Sequence, residues 1–509
     1  MSVLGMALAP ALAQSGVKRE FPTNPASPTL ADISAPFQAG DFTQVVRLAG
    51  AACERGECPR DDRAFFAGLA AWRMQDYDGA LAWFEASEPV ANGVVEPRAG
   101  PHDFARGAFW AARARLRAGL ARGEADAAQA YLDRLSEVAA AAPLTLYGKL
   151  SEAILGLAPL APGLPASVDA QGAEALAGRH PALAEALTAA RKGNLHATNE
   201  AVLRAVRELP RSERPWLQSF AHSIGAARAV YWIASQTGDP LADGRYPVTI
   251  PDPSDGWRID RAIVLAIMHQ ESRFDPHAKS GAGARGLVQL MPSTAAWVAG
   301  DPRLKSEPNR LFEPGLNLTL GQRYIEMMFE QSPVKGDLIL CLASYNAGPG
   351  TVGRWWKRLP PTEDPLLAME SLPNAEVRDY VRKVLANLWV YRTVLGQSDP
   401  SIKALASEGA PIYRELDGSR QFAEAEAEVA PAEPALTAEA EPETAEIVLA
   451  KGAPEAALSI NATEESVPWW KVGHLGEPGD VVSYAFRDLI FERVLVEIEA
   501  GGLGMEPLS

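Results

Sequence analysis

The chain has 509 residues, 47% of them hydrophobic, and a formal net charge of −16. That length exceeds one ordinary domain, and the apolar fraction allows substantial buried cores. The acidic balance argues against a nucleic-acid or anionic-membrane binder, since both call for basic surface.

At the start, Val3-Leu4-Gly5-Met6-Ala7-Leu8-Ala9-Pro10 is a short apolar run followed by Ala11-Leu12-Ala13. The pattern predicts an export signal over residues 1–13 with an A-x-A cleavage site, although no Lys or Arg precedes it. Export to the periplasm as a soluble protein follows, because no later segment reaches the length of a membrane span. Cys53 and Cys58 flank a plausible turn, Glu54-Arg55-Gly56-Glu57, and export would permit a disulfide between them. Two unpaired thiols fit the spacing equally. Cys341 falls in an apolar helical run and reads as core packing. The seven histidines show no metal-ligand spacing, so neither a metal nor a cofactor is expected.

Residues 36–245 read as helical hairpins. Gly68, Asp76-Tyr77, Ala80 and Phe84 match a fragment of the tetratricopeptide pattern, in which small residues let helices approach closely. Trp72 and Trp83 add bulk. Phe109, Trp110, Leu116 and Leu120, then Ala127, Tyr131 and Leu135, form a second pair, and Leu183, Leu187, Leu203 and Val206 a third. Irregular periods favour an α-superhelix over a uniform array. Tyr246-Pro247 and Pro251-Asp252-Pro253 then mark a boundary, and 246–400 reads as a compact, mostly helical block.

Within that block Ile259, Ile263, Val264 and Ile267 recur at helical spacing, and Pro276, Gly281, Gly283 and Gly286 end the regularity. Glu271 therefore falls in the last turn of a mostly buried helix. The negative end of the helix and the apolar surroundings both disfavour its ionised form, which would suit a general acid near neutral pH. An ordinary surface glutamate fits this segment equally. Three further segments add polar groups to flexible backbone. They are Ser280 to Pro292, with Gln289 and Met291; Ala343 to Gly350, with Tyr345-Asn346; and Asn374 to Tyr380, with Glu376.

Residues 401–465 turn to Ala, Glu and Pro, including Glu424, Glu426, Glu428, Glu433 and Glu439, and predict a disordered acidic linker. The final segment, 466–509, carries Trp469-Trp470. Its Val482, Phe486, Leu489 and Ile490 suggest a small helix of unknown role.

Together and in this order, the four segments of 246–398 resemble the catalytic domain of the soluble lytic transglycosylases, a goose-lysozyme-like fold. The matching pieces are Glu271-Ser272 with Phe274; Ser280, Gly286-Leu287 and Gln289 to Pro292; Asn317, Gly321 and Tyr324; Tyr345-Asn346-Ala347-Gly348; and Glu376, Arg378 and Tyr380. Upstream, Phe109-Trp110-Ala111-Ala112-Arg113-Ala114 and Tyr147-Gly148 look like that family's helical superhelix, though shorter than its doughnut-shaped form. The resemblance implies cleavage of peptidoglycan glycan strands, with Glu271 as the single acid and base. Ser280, Gln289, Met291, Tyr345 and Asn346 would line the sugar groove, and Glu376 would be a second acidic contributor. Val288 stands where the family usually has Met, and Asn374 and Val377 replace the usual Phe and Thr around Glu376. The implied product is a 1,6-anhydro end, formed without water. One alternative is a lysozyme-type hydrolase using Glu376 as second carboxylate. Another is a wall-binding scaffold whose helical repeats or tail recruit cell-wall protein partners.

Overall fold

The computed structural model of the protein describes residues 28–54, 62–88, 90–91, 94–95, 100–331 and 334–416, with three strands between 481 and 507. The expected export signal, Cys58, the acidic tract beyond 416, Trp469-Trp470 and Leu489-Ile490 lie outside the described residues.

The first helical unit runs through α1 (Leu30–Gln38), α2 (Phe42–Glu54), α3 (Asp62–Arg73), α4 (Tyr77–Ser87), α5 (Pro101–Arg122), α6 (Ala127–Ala141) and α7 (Leu146–Ile154). A two-residue ladder, β1 (Val90–Ala91) with β2 (Val94–Val95), lies between α4 and α5. The helices begin ahead of the expected start at 36. Thr29 forms a capping box, accepting from the Asp32 amide while the Asp32 carboxylate accepts from the Thr29 amide. Gly68 lets α3 approach α4 closely: a Cβ there would sit 2.6 Å from a Phe84 ring carbon. Trp72, Trp83, Phe109, Trp110, Tyr131 and Leu135 are all buried, as their spacing predicts.

The second unit comprises α8 (Ala170–Ala177), α9 (Pro181–Arg191), α10 (Leu195–Glu208), α11 (Arg214–Ser223) and α12 (Ala227–Ser235). It has its own core around Leu183, Val202, Leu217, Phe220 and Val230. The core of the first unit is instead continuous with that of the 246–400 block. The α-superhelix of hairpins expected over 36–245 thus carries two hydrophobic cores. The break falls where Pro159, Pro162 and Pro165 remove backbone donors and Leu157, Leu160 and Leu164 stay exposed.

Polar contacts lock the first unit to the block. Trp110 Nε1 donates to the Tyr147 hydroxyl at 3.0 Å, which donates to Glu370 at 2.6 Å. Arg382 donates to the other Glu370 oxygen at 2.7 Å. Arg113 is fully buried beside the Trp72 and Trp110 rings and pairs with Asp364 at 2.9 Å and with Glu408. The run from Phe109 to Ala114 thus packs as its apolar pattern suggests, and also supplies an ionic anchor that periodicity alone does not reveal.

The block contains α13 (Arg261–Glu271), α14 (Pro292–Ala299), α15 (Arg303–Ser306), α16 (Pro314–Glu330), α17 (Leu338–Ala347), α18 (Pro349–Trp356), α19 (Pro365–Glu370) and α20 (Ala375–Val394). Asp260 caps α13 by accepting from the Ala262 amide at 3.0 Å, and it is buried against Arg392 at 3.5 Å. Every residue from Ala262 to Met268 is buried, and the helix packs against α20. The glycine loop that follows forms isolated bridges, Lys279 with Arg285 and Arg285 with Leu290.

Two expectations are corrected. Residues 401–416, assigned to the linker, are folded: α21 (Pro400–Ala406) buries Leu405, and Tyr413 stacks on Phe329 with centroids 4.3 Å apart. The Tyr413 hydroxyl also accepts from the Asp260 amide at 2.9 Å. Ile402, Leu405 and Tyr413 provide the apolar surface that the glutamate-rich stretch lacks. Near the end, Val482 and Phe486, expected in a helix, lie instead in strand β3 (Val481–Phe486), which pairs antiparallel with β4 (Val494–Glu499), as β4 does with β5 (Met505–Pro507). Val481, Val482, Tyr484, Val494, Val496 and Ile498 are β-branched or aromatic, and that preference prevails over the sparse helical spacing.

Candidate active site

Glu271 is the last residue of α13, and the chain turns away immediately after it. Ser272 caps the helix, and Arg273 and Phe274 both take left-handed backbone conformations, with φ of 50° and 66°. Two consecutive non-glycine residues in that region are unusual and need surrounding structure to hold them. The buried Phe274 ring supplies part of that support. The turn leaves the Glu271 carboxyl half-buried at the end of an apolar helix.

Burial pushes the Glu271 pKa from 4.5 up to about 7. The Tyr380 hydroxyl, close by on α20, opposes the rise by stabilising the charged form, and the nearby Glu376 carboxylate adds to it. The Tyr380 contact falls short of a well-formed hydrogen bond, and that hydroxyl is buried without a partner among the described residues. No cation contributes to the Glu271 shift. The carboxyl can therefore carry a proton near neutrality and also release it, which suits one group acting as acid and then base.

Around this acid the predicted residues divide by role. Tyr345, near the end of α17, donates from its hydroxyl to the Val288 carbonyl at 2.7 Å and lies close enough to Glu271 to feel its charge. The Tyr345 ring packs on Tyr324 at 5.4 Å, and Tyr324 meets the exposed Trp297 at 6.5 Å. Asn346 is exposed at the end of α17, and Met291 is exposed at the N-cap of α14. Glu376 is exposed in the first turn of α20, one turn before Tyr380 on the same helix.

Ser280 and Gln289 are committed to the loop itself. The Ser280 hydroxyl accepts from the Ala284 amide at 3.0 Å. The Gln289 amide nitrogen donates to the Ala278 and Gly286 carbonyls at 3.0 and 2.8 Å. Buried Asn317 fixes the same loop, accepting from the Val288 amide at 3.0 Å and donating to the Arg285 carbonyl at 3.1 Å. Gly286, at φ 82°, has no room for a Cβ, which would lie 2.4 Å from the Asn317 amide nitrogen. Val288, at the position usually held by Met, packs against Gly321 in the same way.

Tyr380 is the site residue that the residue-type reading passed over, although it stands four positions after Glu376 and so shares its helix face. Asp337 is a second buried acid, with its pKa raised to about 6 by burial. It caps the opposite end of α17 from Tyr345, accepting from the Leu340 amide at 3.0 Å, and has a structural role. Cys53 is disulfide-bonded, and Cys341 is free and buried, as its packing reading predicts. Among the described residues there is no group of three metal-binding side chains, and no helix is long and apolar enough to cross a membrane.

The site thus sets a half-buried carboxyl of raised pKa between two tyrosines and a loop pinned by a buried amide, with a second carboxylate, Glu376, nearby. Residues 250–364 match the family model of the transglycosylase SLT domain. The chain is 34% identical over 174 residues to the soluble lytic murein transglycosylase of Salmonella typhimurium, covering 33% of this chain and 26% of the relative. The protein of the same name in Escherichia coli K12 is 33% identical over 178 residues, covering 34% and 27%. The matched region thus spans about a quarter of the length of these curated relatives. A lytic transglycosylase structure from Pseudomonas aeruginosa aligns at 21% identity and a TM-score of 0.49, covering 78% of this chain and 68% of that one.

Proposed function

We propose that this protein is a peptidoglycan lytic transglycosylase, cleaving the β-1,4 bond between N-acetylmuramic acid and N-acetylglucosamine without water. The observation that carries this reading is the Glu271 carboxyl, held near pH 7 by burial with no cation beside it. Protonated Glu271 donates to the glycosidic oxygen as the bond to C1 breaks. The substrate's own N-acetyl carbonyl stabilises the oxocarbenium-like centre. The Glu271 carboxylate then takes the proton of the muramoyl 6-hydroxyl, whose oxygen closes onto C1. The product is a 1,6-anhydro end and the enzyme's acid is restored.

Tyr345 and Tyr380 flank the acid in this scheme, and Met291 and Asn346 offer exposed contacts to the sugar. Ser280 and Gln289 act chiefly by shaping the loop. Glu376 tunes the acid electrostatically. A hydrolase would require it to activate a water on the opposite sugar face, whereas it is exposed and near enough to disfavour the Glu271 charge. The disulfide at Cys53 supports an oxidising compartment, and we place the protein in the periplasm.

Digestion of purified sacculi followed by mass spectrometry of the fragments tests the reaction. Anhydro-muramoyl ends are expected. Reducing ends would establish hydrolysis instead, and full activity in Glu271→Gln would remove the site.

A further inference from the structure

Two neighbouring cavities, of about 320 and 520 Å³, open where the C-terminal end of α13 meets α12 and the 240–246 segment. They share three lining residues, Tyr231, Arg245 and Arg273. The other cations on their walls are already compensated. Lys383 pairs with Asp379 at 2.6 Å, and Arg228 pairs with Glu200 and with Asp275 at 3.1 Å. Arg245 and Arg273 form no ion pair with a carboxylate among the described residues. In a chain with 64 acidic and 48 basic side chains, two uncompensated guanidiniums at one junction are a departure from the overall balance.

Arg245 is held by a ring contact, and Arg273 is exposed on a constrained turn. The Arg245 guanidinium lies over the Tyr231 ring at 5.3 Å. Arg273 is directed by the left-handed turn after Glu271, and the buried Phe274 anchors that turn. Between them, His269 lines the smaller cavity with its ring against Tyr246 at 4.4 Å and Tyr231 at 5.1 Å. Its Nδ1 is buried without a hydrogen-bond partner. Burial and both arginines hold the pKa of this imidazole down at about 3, so the ring is neutral and adds no positive charge. The wall therefore offers two planar donor forks beside a neutral imidazole, around space large enough for more than a single water.

We propose that these joined cavities are an oxyanion-binding site, in which Arg245 and Arg273 grip a ligand bearing carboxylate or phosphate oxygens. The guanidinium fork matches either group bidentately, and the negative end of α13 offsets only part of the positive charge. Two sources supply that chemistry: the acidic peptide of a wall fragment, and free phosphate. The peptide source rests on the proposed peptidoglycan substrate, whereas the anion site itself does not depend on the reaction at Glu271. The site does, however, begin at the residues directly following that acid, so a bound anion would brace the turn that positions it.

Isothermal titration of full-length Glu271→Gln protein tests this at low salt, with inorganic phosphate in one arm and the dipeptide alanyl-isoglutamate in the other. Using this variant keeps the outcome separate from that of the cleavage assay. At least one probe should bind, with affinity falling as salt is raised. The combined Arg245→Gln and Arg273→Gln variant should lose about tenfold or more, the scale of removing charge-assisted hydrogen bonds. Arg204→Gln, at an exposed pair with Glu185 on the second helical unit, should bind as before. If the glutamine variants fail to fold, Arg245→Lys with Arg273→Lys retains the charge but loses the forks, and weakened binding is again expected. Tighter binding of the dipeptide identifies an acidic peptide as the ligand, and tighter binding of phosphate a small inorganic anion. No binding of either probe, or undiminished affinity in the arginine variants, overturns the proposal.

Discussion

Glu271 and Glu370 each end a helix of the 246–400 block, and their surroundings differ. Glu370, the last residue of α19, is completely buried and receives hydrogen bonds from Tyr147 and Arg382. Glu271, the last residue of α13, has a poorly formed tyrosine contact and another carboxylate nearby, with no cation. Both face the negative end of their own helix, where a carboxylate anion is disfavoured. An arginine makes the first a structural tie between the hairpins and the 246–400 block. Its absence leaves the second able to hold a proton. The presence or absence of one neighbouring cation therefore separates an architectural acid from the one proposed to react.

Removing each acid should break this contrast in opposite ways. Glu271→Gln should lower turnover on sacculi by about a thousandfold or more, the range of a lost general acid–base. It should not weaken the fold. The native state keeps the Glu271 proton up to about pH 7, whereas the unfolded chain releases it near 4.5. The wild-type fold therefore loses stability as pH rises through that window. Urea denaturation at pH 8 should show the glutamine variant more stable by about 2 kcal/mol. Glu370→Ala should do the reverse, costing about 3 kcal/mol by removing the buried partner of Arg382 and Tyr147 and leaving Arg382 only its longer contact with Asp379 at 3.8 Å. The rate per folded molecule should change little.

Smaller effects refine the same comparison. Tyr380→Phe should reduce turnover by about tenfold, as loss of one donor near the reacting acid implies, and should raise the Glu271 pKa. The alkaline limb of the pH–rate profile, expected near 7 because the protonated acid starts the reaction, should then move upward. Glu376→Gln removes a repelling charge, so the same limb should move down by about a few tenths of a pH unit. A limb that stays fixed in both variants would show that a different group governs it.

The helical character, the acid at the end of α13 and the ordered motif blocks were all legible from the chain, because apolar spacing and glycine punctuation act locally. The sequence did not show that Ser280 and Gln289 serve the loop's own backbone, because the available acceptors become fixed only when the loop closes. The division of the helical region was equally hidden. Nothing local in Phe109 to Ala114 distinguishes helices that share the core of the 246–400 block from those, such as α10 around Val202, that do not. Tyr413 and Leu405 were obscured by the glutamate-rich stretch that follows them, which dominated the composition of the whole window.

The burial of Arg113 has a consequence for how the protein is made. Its two carboxylate partners lie 251 and 295 positions further along the chain. During synthesis, α5 emerges long before Asp364 or Glu408 exists to neutralise it, and contacts this distant are slow to close. A nascent chain halted before residue 408 would carry an anchor with only part of its counter-charge. The hairpins are thus among the first segments available to any holding chaperone and among the last to be sealed.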